Sequence, residues 1–326
     1  MEDRKVILKI EHLCKDFDIK AKSFTGKALK LHALSDISLD IYEGETLGII
    51  GESGCGKSTL GRCLVNLHPI TSGKLVYDGK ELNRLRKKER QALSREIQMV
   101  FQDPYSSLDP RHTAADSVEE PMIVHKTPAT ARERQERTIG LFKEVGLDMQ
   151  HLNRYPHEFS GGQRQRLNIA RAIASNPRVV ICDEPVSALD VSIQAQVINI
   201  LEELQHKFGF TYLFISHDLS MVRHISRQVG VMYLGNLIEY AQVDELYDNM
   251  LHPYTKSLIS AVPVADPNQA RQNKRIVLQG DVPSPIDPPP GCPFRARCAY
   301  AKEICGREKP ELKKINDDHM VACHLY

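Results

Sequence analysis

The run Gly51-Glu52-Ser53-Gly54-Cys55-Gly56-Lys57-Ser58 constrains this chain more than any other stretch. It fits the pattern Gly-x-x-x-x-Gly-Lys-Ser/Thr, follows an apolar run at Thr46 to Ile50 and leads into a helical stretch from Ser58 to Leu67. Glycines at these places let successive backbone N–H groups turn inward around a phosphate, and the helix that follows aims its positive end at the same anion. In such a loop Lys57 reaches the β- and γ-phosphates of a nucleotide, and the Ser58 hydroxyl ligates Mg2+.

The surrounding pattern is that of an α/β protein. Val179 to Cys182 and Tyr212 to Ile215, like Thr46 to Ile50, are apolar on both faces and bounded by polar residues or glycine, which suits strands buried in a parallel sheet. Between the last two runs Ile193, Val197, Ile200, Leu201 and Leu204 recur with helical spacing, with Asp190 and Ser192 placed to cap the helix. The first 80 residues differ. Val6, Leu8 and Ile10, and again Ile37, Leu39 and Ile41, alternate with more polar neighbours, and Gly73 to Tyr77 runs into Asp78-Gly79, so half-buried antiparallel strands and a hairpin turn are expected. A stretch from about Ala114 to Leu147 is rich in Arg and Glu and reads as an inserted, surface-exposed helical subdomain. Pro263 to Pro290 is Pro-rich and reads as a stiff linker, with a cysteine-bearing tail behind it.

Bulk properties narrow the function classes. A length of 326 residues suggests about two domains. A net charge of only +1 gives no general attraction to nucleic acid. Nothing approaches a span of about 18 apolar residues, and Met1-Glu2-Asp3-Arg4-Lys5-Val6 opens no signal peptide, so residence in the cytosol is expected. Thiols stay reduced there, so the eight cysteines call for something other than a disulfide framework.

Two further motifs carry chemistry. The strand Val179 to Cys182 ends in Asp183-Glu184: Asp183 is placed to hold Mg2+, and Glu184, pointing elsewhere, to accept a proton from an attacking water. Ser160-Gly161-Gly162-Gln163-Arg164 opens a second anion-binding helix start, one more than a single nucleotide needs. With these motifs in this order the sequence resembles the ATP-binding cassette (ABC) family over roughly residues 5 to 260. Ser160 to Gln163 match its signature loop, Gln102 its Q-loop, Ser187-Ala188-Leu189-Asp190 its D-loop and His217 its switch histidine.

The resemblance implies a P-loop NTPase core with an N-terminal antiparallel β subdomain, a helical subdomain over about residues 103–170 and a small Cys-rich C-terminal extension. The cassette would occupy residues 1–262 and the extension 263–326. ATP would bind along Gly51, Glu52, Ser53, Gly54, Cys55, Gly56, Lys57, Ser58 and Thr59, with Phe17 stacked on adenine and Ser58, Gln102 and Asp183 on Mg2+. Cys55 is read as a tolerated small residue through which a thiol reagent would block ATP. Lys57, Gln102, Glu184 and His217 would be catalytic. Two cassettes would close head to tail on two ATP molecules, so Ser160, Gly161, Gly162 and Gln163 would serve the partner's nucleotide and Asp190 would touch the opposing subunit. Every motif position matches, which implies a hydrolysis-competent site. A soluble ABC protein of translation or repair is the competing class, though such proteins commonly carry two cassettes or a long coiled coil.

Within the family, Gln102 to Arg111, His252-Pro253-Tyr254 and Gly291 to Cys298 look like the oligopeptide and dipeptide importers, their F-type ATPase subunit in particular. That implies two membrane permeases, a second and different cassette, an extracytoplasmic binding protein and the cytoplasmic face of the membrane; nickel and glutathione are the branch's other cargoes. His252, Pro253 and Tyr254 are expected to shape a turn and pack the extension. Cys292, Cys298, Cys305 and Cys323 are spaced more widely than zinc ligands usually are, which suits an iron–sulfur cluster. The branch's tail implies a [4Fe-4S] cluster; zinc and free thiols remain alternatives. His319 and His324 are expected at the surface.

Overall fold

The computed structural model describes residues 4–19, 29–128, 130–262 and 275–326. The first part of the expected linker, residues 263–274, lies outside them, as do the first three residues. In chain order the elements are strands β1 (Val6–Ile19), β2 (Leu29–Tyr42) and β3 (Thr46–Ile50), helix α1 (Lys57–Leu64), strands β4 (Ser72–Tyr77) and β5 (Lys80–Glu81), helix α2 (Lys87–Glu96) and strand β6 (Ile97–Val100). Helices α3 (Ala114–His125), α4 (Ala131–Glu144) and α5 (Gly161–Ile173) follow, then β7 (Val179–Asp183), α6 (Val191–Phe208), β8 (Thr211–Ile215) and α7 (Leu219–Ile225). The remainder is β9 (Gln228–Tyr233), β10 (Asn236–Gln242), α8 (Val243–Asp248), α9 (Pro253–Ser260), β11 (Lys313–Asn316) and β12 (His319–Val321). The chain divides into two compact units: Met1–Ile7, Ile41–Thr46 and Lys80–Ser216 form one, and Leu8–Asp40, Leu47–Gly79 and His217–Tyr326 the other.

The first unit is built on β6, β7 and β8, which run parallel with Ile97 opposite Val179 and Val179 opposite Thr211. All residues of β7 and β8 are buried, as their unbroken apolar runs require. α6 crosses between them, burying Val197, Ile198, Leu201 and Leu204, and Tyr212 Oη donates to the Leu201 carbonyl at 3.0 Å. The helical insertion is α3, α4 and α5. Capping boxes start all three, pairing Thr113 with Asp116, Thr130 with Glu133 and Ser160 with Gln163. The insertion is less exposed than its charge suggests: Val118, Met122, Leu141 and Phe142 are fully buried, and only the outer faces meet water. Arg171 ties it together, donating to the Ser107 carbonyl at 2.6 Å and to Glu120 at 2.9 Å.

In the second unit β1 lies between β2 and β4, antiparallel to β4 with Leu8 opposite Tyr77. Asp78 and Gly79, both at positive φ, turn the chain after β4. β3, buried along its whole length, runs parallel to β9, which forms a hairpin with β10 through Leu234 and Gly235. The far end of the sequence joins this sheet: β12 pairs antiparallel with β10, Tyr240 opposite Met320, and β11 pairs with β12. His319 on β12 is not a surface residue. It is 1% exposed and lies between Glu239 and Glu245, because two carboxylates beside it provide the partners a buried imidazole needs. His324 is half-buried, its Nε2 3.0 Å from the Glu308 carbonyl oxygen.

Candidate active site

The phosphate loop belongs to the second unit. Between β3 and α1 the chain turns through Gly51, Gly54 and Gly56, all at positive φ. Gly51 has no room for a side chain, since a Cβ there would lie 2.2 Å from the Met232 carbonyl oxygen. Lys57, 4% exposed, folds across the loop and donates to the carbonyls of Gly51 at 2.7 Å and Glu52 at 3.1 Å. Its ammonium is thereby held over the loop by backbone oxygens, with Ser58 and Thr59 following in the first turn of α1. Cys55 is 5% exposed and burial raises the pKa of its thiol, as befits a small residue packed into the loop.

Phe17 and His217 lie in the same unit. The Phe17 ring, half-buried near the end of β1, stands edge-on to His68 at 5.3 Å between centroids, with Lys15 Nζ 4.6 Å from its centre. His217 is exposed, immediately before Asp218, whose carboxylate accepts from the amides of Ser220 at 2.9 Å and Met221 at 3.2 Å to cap α7.

The acidic pair is in the first unit. Asp183 ends β7 fully buried. Glu184 then takes a positive φ of 47°, a strained conformation for a residue with a Cβ, and its N–H donates to the Ile215 carbonyl at 2.9 Å. The strain turns the side chain off the strand's alternation and into reach of Gln102, whose Nε2 donates to Glu184 Oε2 at 2.8 Å. The two residues stand 82 positions apart in sequence, and the sheet formed by β6 and β7 brings them together.

Ser160 to Gln163 form the N-terminus of α5 in that unit. Ser160 N–H donates to Gln163 Oε1 at 3.0 Å, and Gln163 N–H to Ser160 Oγ at 3.3 Å. Gly162 is required by packing: a Cβ would stand 2.5 Å from Ile193 Cγ2 at the start of α6. Asp190 occupies the N-cap position of α6 without a side-chain bond to the helix, and it is exposed beside Val191, itself 80% exposed.

The four tail cysteines line one cavity of about 10 Å3, together with His252, Phe294 and His324. Cys292 N–H donates to the Cys305 carbonyl at 2.8 Å, and the N–H of Lys302 points at Cys305 Sγ at 3.4 Å. Amides of Phe294, Tyr300 and Leu325 bear in the same way on Cys292, Cys298 and Cys323. Burial raises these three thiols, Cys292 to about 11. Among the described residues no three His, Cys, Asp or Glu side chains are grouped to hold a metal ion.

Residues 34–187 match the ABC transporter family, and residues 238–305 match the family described as the oligopeptide/dipeptide transporter, C-terminal region. The oligopeptide transport ATP-binding protein AppF of Bacillus subtilis (strain 168) is 51% identical over 325 residues, 99% of this chain and 98% of that protein. The oligopeptide transport ATP-binding protein OppF of Escherichia coli (strain K12) is 47% identical over 324 residues, 99% of this chain and 97% of that protein. This chain belongs to the ABC transporter family. Among solved structures, the ATP-binding cassette MJ0796, in a dimeric post-hydrolysis state bound to ADP and Pi, matches 72% of this ABC chain and 98% of its own, with a TM-score of 0.65 at 30% identity.

Two contacts of this ABC cassette were not legible beforehand. Tyr254 does more than pack against Tyr233 and Phe294, because its Oη accepts from Glu52 N–H at 2.8 Å. Arg297 reaches the same phosphate-loop residue from among the tail cysteines. The sequence signals are a tyrosine at the start of α9 and an arginine in the turn-rich stretch beside the tail cysteines.

Proposed function

We propose that this ABC cassette binds and hydrolyses ATP as the motor of an importer of oligopeptides or dipeptides, docked on the cytoplasmic face of the membrane against separate permease subunits. The observation that carries the reading is a complete phosphate loop, braced by Lys57, in a chain 51% identical to an oligopeptide transport ATP-binding protein. No helix among the described residues is long and apolar enough to cross a membrane, so the permeation path belongs to other chains in this reading.

The residues divide the work as follows. Gly51 to Thr59 cradle the β-phosphate, Lys57 reaches the β- and γ-phosphates, and Phe17 meets the adenine. Ser58, Asp183 and Gln102 would hold Mg2+, which neutralises phosphate charge when bound. Glu184, oriented by Gln102, takes the proton of the attacking water, and His217 holds water and γ-phosphate in line. Ser160, Gly161, Gly162 and Gln163 serve ATP on a second cassette, a different chain, and Asp190 contacts that subunit. Two permeases and an extracytoplasmic binding protein complete the importer. The cassette extends to about residue 262, with its helical part near 103–170, and residues 263–326 form the extension.

For the extension the reading is a [4Fe-4S] cluster on Cys292, Cys298, Cys305 and Cys323. The reading is supported by four thiols that line one small cavity and are each met by a backbone N–H, although the side chains as they stand are not grouped around a metal ion. Iron and acid-labile sulfide in anaerobically purified protein decide between cluster, zinc and free thiols.

The test of the motor is turnover and uptake in proteoliposomes carrying the chain with its companion cassette, permeases and binding protein. ATP turnover and cargo uptake should rise with added peptide and vanish in Lys57→Ala. Stimulation by nickel or glutathione instead of peptide would overturn the cargo, and absence of turnover the motor.

A further inference from the structure

Glu52 is an unexpected residue to find inside a phosphate loop. Its carboxylate adds a negative charge where a polyanion is to be bound, and repulsion between like charges at such range is strong in a partly buried site. Every polar group of Glu52 is nevertheless engaged. Lys57 Nζ holds its carbonyl, Tyr254 Oη accepts from its N–H at 2.8 Å, and Arg297 grips its carboxylate with two parallel bonds of 2.8 and 3.1 Å. The Arg297 side chain is only 10% exposed, and its guanidinium lies 5.9 Å from the centre of the Tyr233 ring. Tyr233, Tyr254 and Phe294 in turn pack edge to face, with centroids 4.8 to 5.5 Å apart. This aromatic cluster fixes both the tyrosine and the arginine that meet Glu52. A bidentate fork of this kind is specific in direction as well as charge.

We propose that Arg297 is a positioning residue for ATP, which neutralises Glu52 and draws its carboxylate aside so that the phosphate loop presents a net positive face. The assignment rests on the loop being the nucleotide site. The C-terminal segment thereby becomes part of the ATP site rather than an appendage to it, and Arg297 acts through Glu52 without touching the nucleotide.

The experiment is a double-mutant cycle on the full chain, reading the affinity for Mg2+ with a non-hydrolysable ATP analogue in parent, Glu52→Gln, Arg297→Gln and Glu52→Gln/Arg297→Gln, with circular dichroism to confirm folding. Arg297→Gln should weaken binding about tenfold, and less at high salt, because it leaves a carboxylate facing the phosphates. The double variant should return to within about twofold of the parent, since no uncompensated charge remains. Unchanged affinity in Arg297→Gln, or a loss that Glu52→Gln does not repair, would overturn the proposal. Should Arg297→Gln fail to fold, the equally neutral Arg297→Met with and without Glu52→Gln carries the same comparison, and a loss that Glu52→Gln leaves in place is again the overturning result. Parent and Lys57→Ala chains run alongside report on the nucleotide site itself: a parent that does not bind the analogue refutes that reading, whatever Arg297 does.

Discussion

His319 Nε2 lies 2.7 Å from Glu239 Oε1, and neither side chain is exposed to solvent. The same carboxylate accepts from the backbone N–H groups of Leu251 at 2.7 Å and His252 at 3.0 Å, so one buried acid joins β10, β12 and the start of α9. Removing one partner of a buried pair leaves an uncompensated charge. His319→Ala should therefore lower stability by about 3–5 kcal/mol. Urea unfolding of parent and variant measures this, and a loss below about 1 kcal/mol would show that water already reaches the pair.

Buried His252 and His319 should give stability opposite pH slopes. Burial drives the pKa of His252 down to about 4, against the opposing charge of Glu239. Its unfolded value is about 6.5, so the unfolded chain takes the proton first and stability falls as pH drops from there toward 4. For His319 burial opposes the charge, but the bonds and charges of Glu239 and Glu245 outweigh it and raise the pKa. Its contribution is full below about pH 6.5 and is lost as pH rises through the raised value. Melting temperatures across pH should show a shallower acid limb in His252→Gln and a shallower alkaline limb in His319→Gln.

Glu184→Gln should cut ATP turnover by roughly 10²–10⁴ while nucleotide still binds. The substitution keeps the shape and leaves an oxygen for the Gln102 amide to donate to, so loss of folding would not explain the result. Normal turnover in this variant would remove Glu184 from the role of base.

Gly162→Ala tests the signature helix by packing alone. The new methyl would sit 2.5 Å from Ile193 Cγ2, and overpacking of this kind costs about 1–3 kcal/mol. Trimming the neighbour in Gly162→Ala/Ile193→Ala should restore most of the lost melting temperature. An unaltered melt in the single variant would mean that α5 and α6 yield freely.

The motifs were legible because their chemistry is local. Gly51 and Gly56 must be glycine for backbone reasons, and the parallel strands betray themselves by apolar runs with no polar face. Thr46–Ile50 and Val179–Asp183 fall where those runs lie. The unread parts depend on pairings that leave no periodicity. Arg297 meets Glu52 across 245 positions, and His319 is buried only because Glu239, 80 positions away, supplies its partner. A histidine near the end of a Pro-rich tail reads as a surface residue until β12 is seen against β10. The Cys-rich segment likewise looked separable from sequence because a proline run precedes it, whereas its aromatic and basic side chains close on the phosphate loop.

The pairing of β12 with β10 has a consequence for biosynthesis. The nucleotide loop is made early, yet the strand that finishes its sheet and the guanidinium that neutralises Glu52 emerge some 240 to 270 residues later, a delay of roughly 10–50 s at ordinary ribosome speeds. On the role proposed for Arg297, a half-made cassette binds ATP weakly until this segment has been synthesised.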